Sequence, residues 1–212
     1  MRTQAQIDEE LGFIFGRRSI RVYTPGEVDE ETVQKLLAAA MAAPSAVAKD
    51  PWRFVVVRNR QQLARLAAAL ANGEMLDSAT LAIAVCGDLA AAHDGQLSYL
   101  LQDCAAAIEN LLLAAHILGL GSCWMGVHPR KQRIKNLKEI LSLPASVIPV
   151  ACIAIGHPGA QNITQAATDA GLDRQLKANG TLRKTQPDCM LPVCRGLSSG
   201  MWRSSAVTWP WM

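Results

Sequence analysis

Apolar positions in the first three-quarters of the chain recur at two spacings, one typical of helices and one of buried strands. Spacings of three and four residues predict helices after Asp29, over 61–70 and over 133–141. Asp29 can cap the first helix, which is expected to stop at Ala43 because Pro44 disfavours helical geometry in the residue before it. Short continuous apolar runs predict buried strands at 54–57, 81–86, 122–127 and 150–155.

The longest predicted helix runs from about 97 to 118 and is apolar nearly all round after residue 104. Such a helix is either buried in the core or forms the seam between two subunits. Helices and strands alternate up to about residue 158, and the remaining chain is rich in Gln, Thr, Ser and Gly, with little periodic apolar pattern. We therefore expect one domain over 1–158 and a divergent C-terminal tail of unassigned structure over 159–212.

The composition excludes several classes of protein. Half of the 212 residues are hydrophobic and 18% are charged, so a disordered chain is not expected. A net charge of +3, without interleaved basic and aromatic residues, does not indicate nucleic-acid binding. No uninterrupted apolar stretch reaches the roughly 20 residues of a membrane span, and the first ten residues carry no apolar signal core. We expect a cytoplasmic protein without a nucleic-acid or membrane partner.

The cysteines and histidines do not predict a metal site. No Cys-x-x-Cys pair occurs, and the first four of the six cysteines lie in apolar runs, which is typical of buried reduced thiols. The four histidines form no cluster with the spacing of metal ligands. His93, His116 and His128 each have a structural interpretation that we prefer to a catalytic one.

Three segments carry residues that could bind a ligand, and the first is 17–21. If its backbone is extended, Arg17, Ser19 and Arg21 lie on one side and offer two guanidiniums and a hydroxyl, which suit a phosphate. A solvated basic turn is the alternative. The second segment is a loop containing Pro44 and Pro51, placed between a helix and a buried strand where it could line a pocket.

The third segment is the glycine turn at Gly119 and Gly121, which follows a helix and precedes a strand. That order is the inverse of a dinucleotide-binding loop, so a Rossmann site is rejected. The turn leads into Trp124-Met125-Gly126, where the small Gly126 would let a flat ligand approach the backbone.

Taken together, these segments resemble the FMN-dependent nitroreductase family. The resemblance covers about three-quarters of the chain and also includes the runs 103–115 and 155–158. It implies an α+β fold with a central mixed, mostly antiparallel sheet flanked by helices. It further implies a homodimer with two FMN molecules in the subunit interface, where the long helix would lie.

The resemblance also implies how the phosphate end of FMN is held. Arg17 and Ser19 would bind the phosphate, and Arg18 would assist them. Arg21 would reach the ribityl chain and the pyrimidine edge, where a cation suits the negative charge that reduction creates.

At the ring end, three groups of residues are implied. Loop residues from the other subunit would cover the flavin; they are Pro44, Ser45, Ala46 and Val47. Trp124, Met125 and Gly126 would run beside the ring, with the amide of Met125 or Gly126 near N5. Asn72 would reach the pyrimidine edge.

The implied reaction takes a hydride from NADH or NADPH and passes it to a small acceptor, such as a nitroaromatic or a quinone, in two half-reactions. The cofactor supplies the redox chemistry, so no side chain is expected to act as acid or base. Two alternatives remain. One is a flavoenzyme of the same fold that fragments flavin or removes halogens, and the other is a degenerate flavin-binding protein without turnover.

Three departures from the family pattern are visible, and two of them, at residues 48 and 50 and after Pro158, motivate the second alternative. Ala48 and Asp50 stand where the family often has Asn and Gln, and Glu74 stands where some relatives carry a lysine. Nothing after Pro158 clearly matches the proline-rich segment whose basic residue grips the phosphate in relatives.

Overall fold

A five-stranded antiparallel sheet forms the centre of the fold. In this computed structural model, which describes residues 2–160, the strands are β1 (Tyr23–Thr24), β2 (Trp52–Val57), β3 (Leu81–Asp88), β4 (Gly121–Gly126) and β5 (Val147–Pro158). The order β1-β5-β3-β2 forms the main path, and β4 also pairs with β5. The strand pairs are antiparallel, and the parallel element is a single bridge between Ser19 and Ser122.

Helices cover both faces of this sheet. The helices of the described residues are α1 (Gln4–Gly16), α2 (Glu30–Met41), α3 (Arg60–Ala69), α4 (Leu97–Ile117) and α5 (Lys131–Leu141). Helices α2 and α4 cover one face of the sheet, and α3 and α5 cover the other. Side chains alternate between the two faces of β5, because successive residues of a strand point to opposite sides. Ile153 and Ile155 belong to the core cluster that includes α2 and α4, whereas Cys152 and Ala154 belong to the cluster beneath α3 and α5.

The long helix α4 lies in the core, which is one of the two positions that the sequence predicts for it. By length and composition it could cross a membrane, but eight of its residues are buried within this fold. Beside the sheet lie the buried residues Leu100, Cys104, Ile108 and Leu111. The apolar character of α4 is therefore explained in large part by its contacts with the sheet.

The predicted elements are present, with shifted ends. Strand β5 starts at Val147 and β2 at Trp52, both earlier than the apolar runs indicate, because strand length is set by pairing with β3. Helix α1 had no predicted bounds, because its apolar residues do not enter the core and none of them is buried. The predicted C-terminal tail, apart from its first two residues, lies outside the described residues.

Candidate functional site

The first predicted segment, 17–21, runs alongside β4 at the edge of the sheet. The Ile20 amide donates a hydrogen bond to the Ser122 carbonyl at 2.9 Å, and Ser19 forms the parallel bridge with Ser122. The two segments are about a hundred residues apart in sequence, and the fold places them side by side.

Three polar side chains of this segment influence the Cys123 thiol of β4. Burial raises the pKa of that thiol, and Arg21, Arg17 and the Ser19 hydroxyl each partly lower it. Two guanidiniums and a hydroxyl therefore lie close enough to one sulfur to act on it. That Arg17, Ser19 and Arg21 bind one ligand together stays a prediction.

Tyr23 fixes the backbone of segment 17–21 against β5. Its hydroxyl donates to the Ile20 carbonyl at 2.6 Å and lies 3.3 Å from the Ala154 carbonyl of β5. Burial is the largest cause of the raised pKa of Tyr23, so its hydroxyl keeps its proton. Arg18 is turned back onto the end of α1, where its Nη1 donates to the carbonyls of Phe15 and Arg17.

The outer edge of β4 presents main-chain groups in alternation. In an antiparallel pair, residues bonded to the partner strand alternate with residues whose amide and carbonyl point away. The Ser122 carbonyl points away from β5, since it accepts from Ile20. The main-chain amide and carbonyl of Trp124 and of Gly126 then also point outward, whereas those of Met125 point toward β5. Arg133 of α5 follows this pattern, because its Nη1 donates to the outward Gly126 carbonyl at 2.9 Å.

The surface beside this edge is open at Trp124 and Gly126. Trp124 is 38% exposed although it lies in a central part of β4, and Met125 is buried beneath the strand. A Cβ built on Gly126 would meet no atom within 4 Å. The strand therefore offers an aromatic side chain and a bare stretch of backbone on the same face.

The second predicted segment forms a loop with unusual backbone geometry. Val47, Ala48 and Asp50 all have φ near +50°, a conformation that non-glycine residues rarely adopt. Ser45 and Asp50 bond reciprocally, since the Ser45 hydroxyl donates to Asp50 Oδ1 at 2.5 Å and the Asp50 amide donates to Ser45 Oγ at 3.0 Å. The carboxylate of Asp50 is therefore engaged within the loop.

Helix α4 anchors both segments on different sides. The Ala46 amide donates to Oδ1 of Asp103 at 2.9 Å, and Nε of Arg17 lies 3.6 Å from Oε1 of Glu109. Six positions on a helix correspond to a separation of roughly 120° around its axis. The loop and the arginine segment are thus attached to different sides of α4 in one subunit.

Asn72 lies in the connection between α3 and β3. It is exposed, has φ of 60° and precedes a short 3-10 helix, Gly73–Asp77. Within residues 2–160 its side chain makes no capping hydrogen bond. The cofactor contact implied for Asn72 stays a prediction.

The model of the nitroreductase family matches residues 14–74 and 68–157. The chain belongs to the nitroreductase family. A relative from Archaeoglobus fulgidus, provisionally named an NADH dehydrogenase/NAD(P)H nitroreductase, is 43% identical over 152 residues, which are 72% of this chain and 87% of that protein.

Solved nitroreductase structures share the fold. An FMN-dependent nitroreductase from Clostridium difficile has a TM-score of 0.70 at 32% identity, covering 78% of this chain and 95% of that one. A provisionally named nitroreductase from Desulfovibrio desulfuricans, solved in complex with FMN, has a TM-score of 0.63 at 31% identity, covering 80% and 98%. The α+β nitroreductase fold expected from the sequence is confirmed.

Sequence reasoning assigned no role to Asp103, Glu109 or Arg133, which contact the candidate segments of this family member. Asp103 and Glu109 carried a signal, since they are the two acidic residues of a helix that is otherwise rich in apolar residues. For Arg133 the sequence held no comparable signal, because exposed charges on helices are common.

Proposed function

We propose that this nitroreductase binds FMN along the outer edge of β4 and transfers hydride from NADH or NADPH to a small acceptor, such as a nitroaromatic or a quinone. The single observation that carries the proposal is the hydrogen bond from the Ile20 amide to the Ser122 carbonyl. It joins the side chains that we propose for the phosphate to an open strip of backbone that suits a flat ring.

The phosphate end of FMN would lie at Arg17 and Ser19. Guanidinium groups and hydroxyls are strong donors to phosphate oxygens, and a charge-assisted bond is about twice as strong as a neutral one. Arg18 would add positive charge while staying bonded to main-chain carbonyls. Arg21 would extend toward the ribityl chain and the pyrimidine edge.

The ring would lie against Trp124 and Gly126. Of the two amides expected near N5, the alternation of β4 favours Gly126, because the Met125 amide points toward β5. A side chain at position 126 would occupy the surface that the ring needs, and glycine leaves it free.

When bound, FMN supplies the two-electron chemistry, and the chain supplies position and charge. The Gly126 amide would donate to the reacting edge of the ring, and Arg21 would stabilise the negative charge that develops at the pyrimidine edge. Trp124 would cover one side of the ring edge and limit access of water. None of these residues acts as a general acid or base.

A second copy of the chain would complete the site. The outward face of α4 carries Tyr99, Leu113 and Ile117, none of which is fully buried, and Ile117 is 62% exposed. Helix α1 adds the exposed residues Ile7, Leu11 and Ile14. Burial of these faces in a homodimer would stabilise the assembly.

In such a dimer the loop from Pro44 to Val47 would cover the flavin bound by the other subunit. The attachment of the loop and of Arg17 to different sides of α4 supports this exchange. Asn72 is proposed to reach the pyrimidine edge once the dimer and the cofactor are in place. We also propose that the protein acts in the cytoplasm.

The decisive experiment uses the full-length chain incubated with excess FMN and then freed of unbound cofactor. We expect a yellow protein with one FMN per subunit that sediments as a dimer and is bleached anaerobically by NADH or NADPH. Adding a nitroaromatic or a quinone should restore the oxidised spectrum. A protein that stays colourless would contradict the proposal.

Product analysis separates the proposed reaction from its alternatives. Loss of intact flavin, or release of halide from a halogenated aromatic, would indicate another reaction on the same fold. Bound FMN that neither nicotinamide reduces would indicate a binding protein without turnover.

A further inference from the structure

Asp103 is the one buried acidic residue among residues 2–160, with 5% of its surface exposed. Its Oδ1 accepts the hydrogen bond of the Ala46 amide at 2.9 Å. Its Oδ2 is fully buried, and within the described part of the chain it has no hydrogen-bond partner. Burying a carboxylate with one unpartnered oxygen is costly, so this residue is not explained by packing alone.

The group that Asp103 holds is the first turn of the loop with the unusual backbone. Directly after Ala46 come Val47 and Ala48, and both have φ of 52°. A β-branched residue such as Val47 disfavours that geometry strongly, so the surrounding structure has to impose it. Asp103 fixes the entry to the turn, and the reciprocal bonds of Ser45 and Asp50 close it.

The consequence of this geometry is visible at Val47. Its side chain is 69% exposed, although valine is usually buried. The loop is thus held from inside the subunit in a shape that presents an apolar side chain outward. A loop with preset geometry loses less entropy when it closes over a ligand than a loop that must be ordered on binding.

We infer that Asp103 is a positioning residue for the flavin site, which holds the loop from Ser45 to Val47 in its binding conformation without touching the cofactor. The inference rests on the proposed function, because it concerns the loop proposed to cover FMN. The Asp103 carboxylate then contributes to the affinity for FMN and to the binding of the acceptor.

The test compares three variants of the full-length chain. Asp103→Ala removes the acceptor for the Ala46 amide, whereas Asp103→Asn retains an oxygen that can take its place. Asn110→Ala is the matched control, since Asn110 lies on the same side of α4 and donates to the Ala39 carbonyl of α2 at 3.1 Å, away from the loop. All three variants are compared by FMN titration, acceptor kinetics and thermal unfolding.

We expect Asp103→Ala to weaken FMN binding about tenfold and to raise the KM for the acceptor, with Asp103→Asn within about threefold of wild type. Asn110→Ala should lower the unfolding temperature and leave FMN affinity within about twofold. If Asp103→Ala and Asn110→Ala change FMN affinity to the same extent, Asp103 only stabilises the helix packing and the inference is wrong.

A second measurement does not depend on FMN. Amide hydrogen exchange of the cofactor-free protein should accelerate at residues 45–50 in Asp103→Ala, and should stay unchanged there in Asn110→Ala. Unchanged exchange in Asp103→Ala would overturn the inference even if the enzyme is active. A wild-type protein that does not bind FMN would instead refute the proposed function, while the exchange data would still decide whether Asp103 holds the loop.

Discussion

Nε of Arg17 lies 3.6 Å from Oε1 of Glu109, so a carboxylate of α4 faces the guanidinium that we propose for the phosphate of FMN. The Arg17 side chain is 28% exposed and that of Glu109 is 50% exposed. An ion pair with this exposure contributes little to stability, because water and salt screen it. Its proposed importance is for the ligand, because a phosphate bound at Arg17 would be attracted by the guanidinium and repelled by the carboxylate.

Replacing Arg17 with alanine is expected to weaken FMN binding by about 1.5–3 kcal/mol, the range for hydrogen bonds to charged groups. Titration of the cofactor-free protein with FMN measures the change. Lys35→Ala serves as control, because Lys35 is a surface cation on α2 that pairs with Glu31. Equal affinity of Arg17→Ala and wild type would place the phosphate elsewhere.

Replacing Glu109 with glutamine should have the opposite effect. The carboxylate repels a phosphate near Arg17, so its neutralisation is expected to tighten FMN binding about two- to fivefold at low salt. The gain should vanish near 1 M salt, where the Debye length is about 3 Å. If Glu109→Gln binds FMN more weakly than wild type, the carboxylate orients Arg17 and does not compete with the phosphate for it.

Gly126→Val separates folding from cofactor binding. A Cβ at this position meets no atom within 4 Å, so the free energy of unfolding should change by less than about 1 kcal/mol. The added side chain would overlap the proposed ring surface, and FMN affinity should fall about ten- to a hundredfold. Denaturant unfolding and FMN titration check the two parts. Normal FMN affinity would exclude Gly126 from the ring surface.

Ala48→Asn should stabilise the protein. Ala48 has φ of 52°, and asparagine tolerates this left-handed geometry better than alanine does. We expect a gain of about 0.5–1 kcal/mol in the free energy of unfolding, measured by urea denaturation. The same substitution at Ala38, an exposed site within α2, should destabilise instead, because asparagine is a poorer helix former. A loss at position 48 would refute the assigned geometry.

Stability should fall at alkaline pH. Burial raises the pKa of Cys86, Cys104 and Cys152 from 9.0 to about 12. Between those values the folded state keeps protons that the unfolded state releases, so the contribution of these thiols is complete below pH 9 and is lost as the pH rises toward 12. Urea unfolding at pH 8 and pH 10.5 measures the loss. Cys152→Ala should reduce this loss of unfolding free energy. A urea midpoint that does not change between the two pH values would contradict the prediction.

Much of the fold could be predicted because buried positions recur as apolar residues at regular spacings along the sequence. The apolar faces of α2, α3 and α5 and the apolar runs of β3 and β5 follow directly from which residues enter the core. Helix α1 left no such trace, since its apolar residues lie on the surface. The ends of β2 and β5 depend on pairing between strands, which a local pattern does not contain.

The sequence by itself determined the types of chemical group at the candidate site, because arginine, serine and glycine have their properties wherever they lie. It also determined the family, through motifs that keep their order along the chain. Only the tertiary structure decided that residues 17–21 meet β4, that the Gly126 amide points outward and that α4 contacts both candidate segments. Those relations join residues distant in sequence, and sheet pairing and helix packing create them only when the whole domain folds.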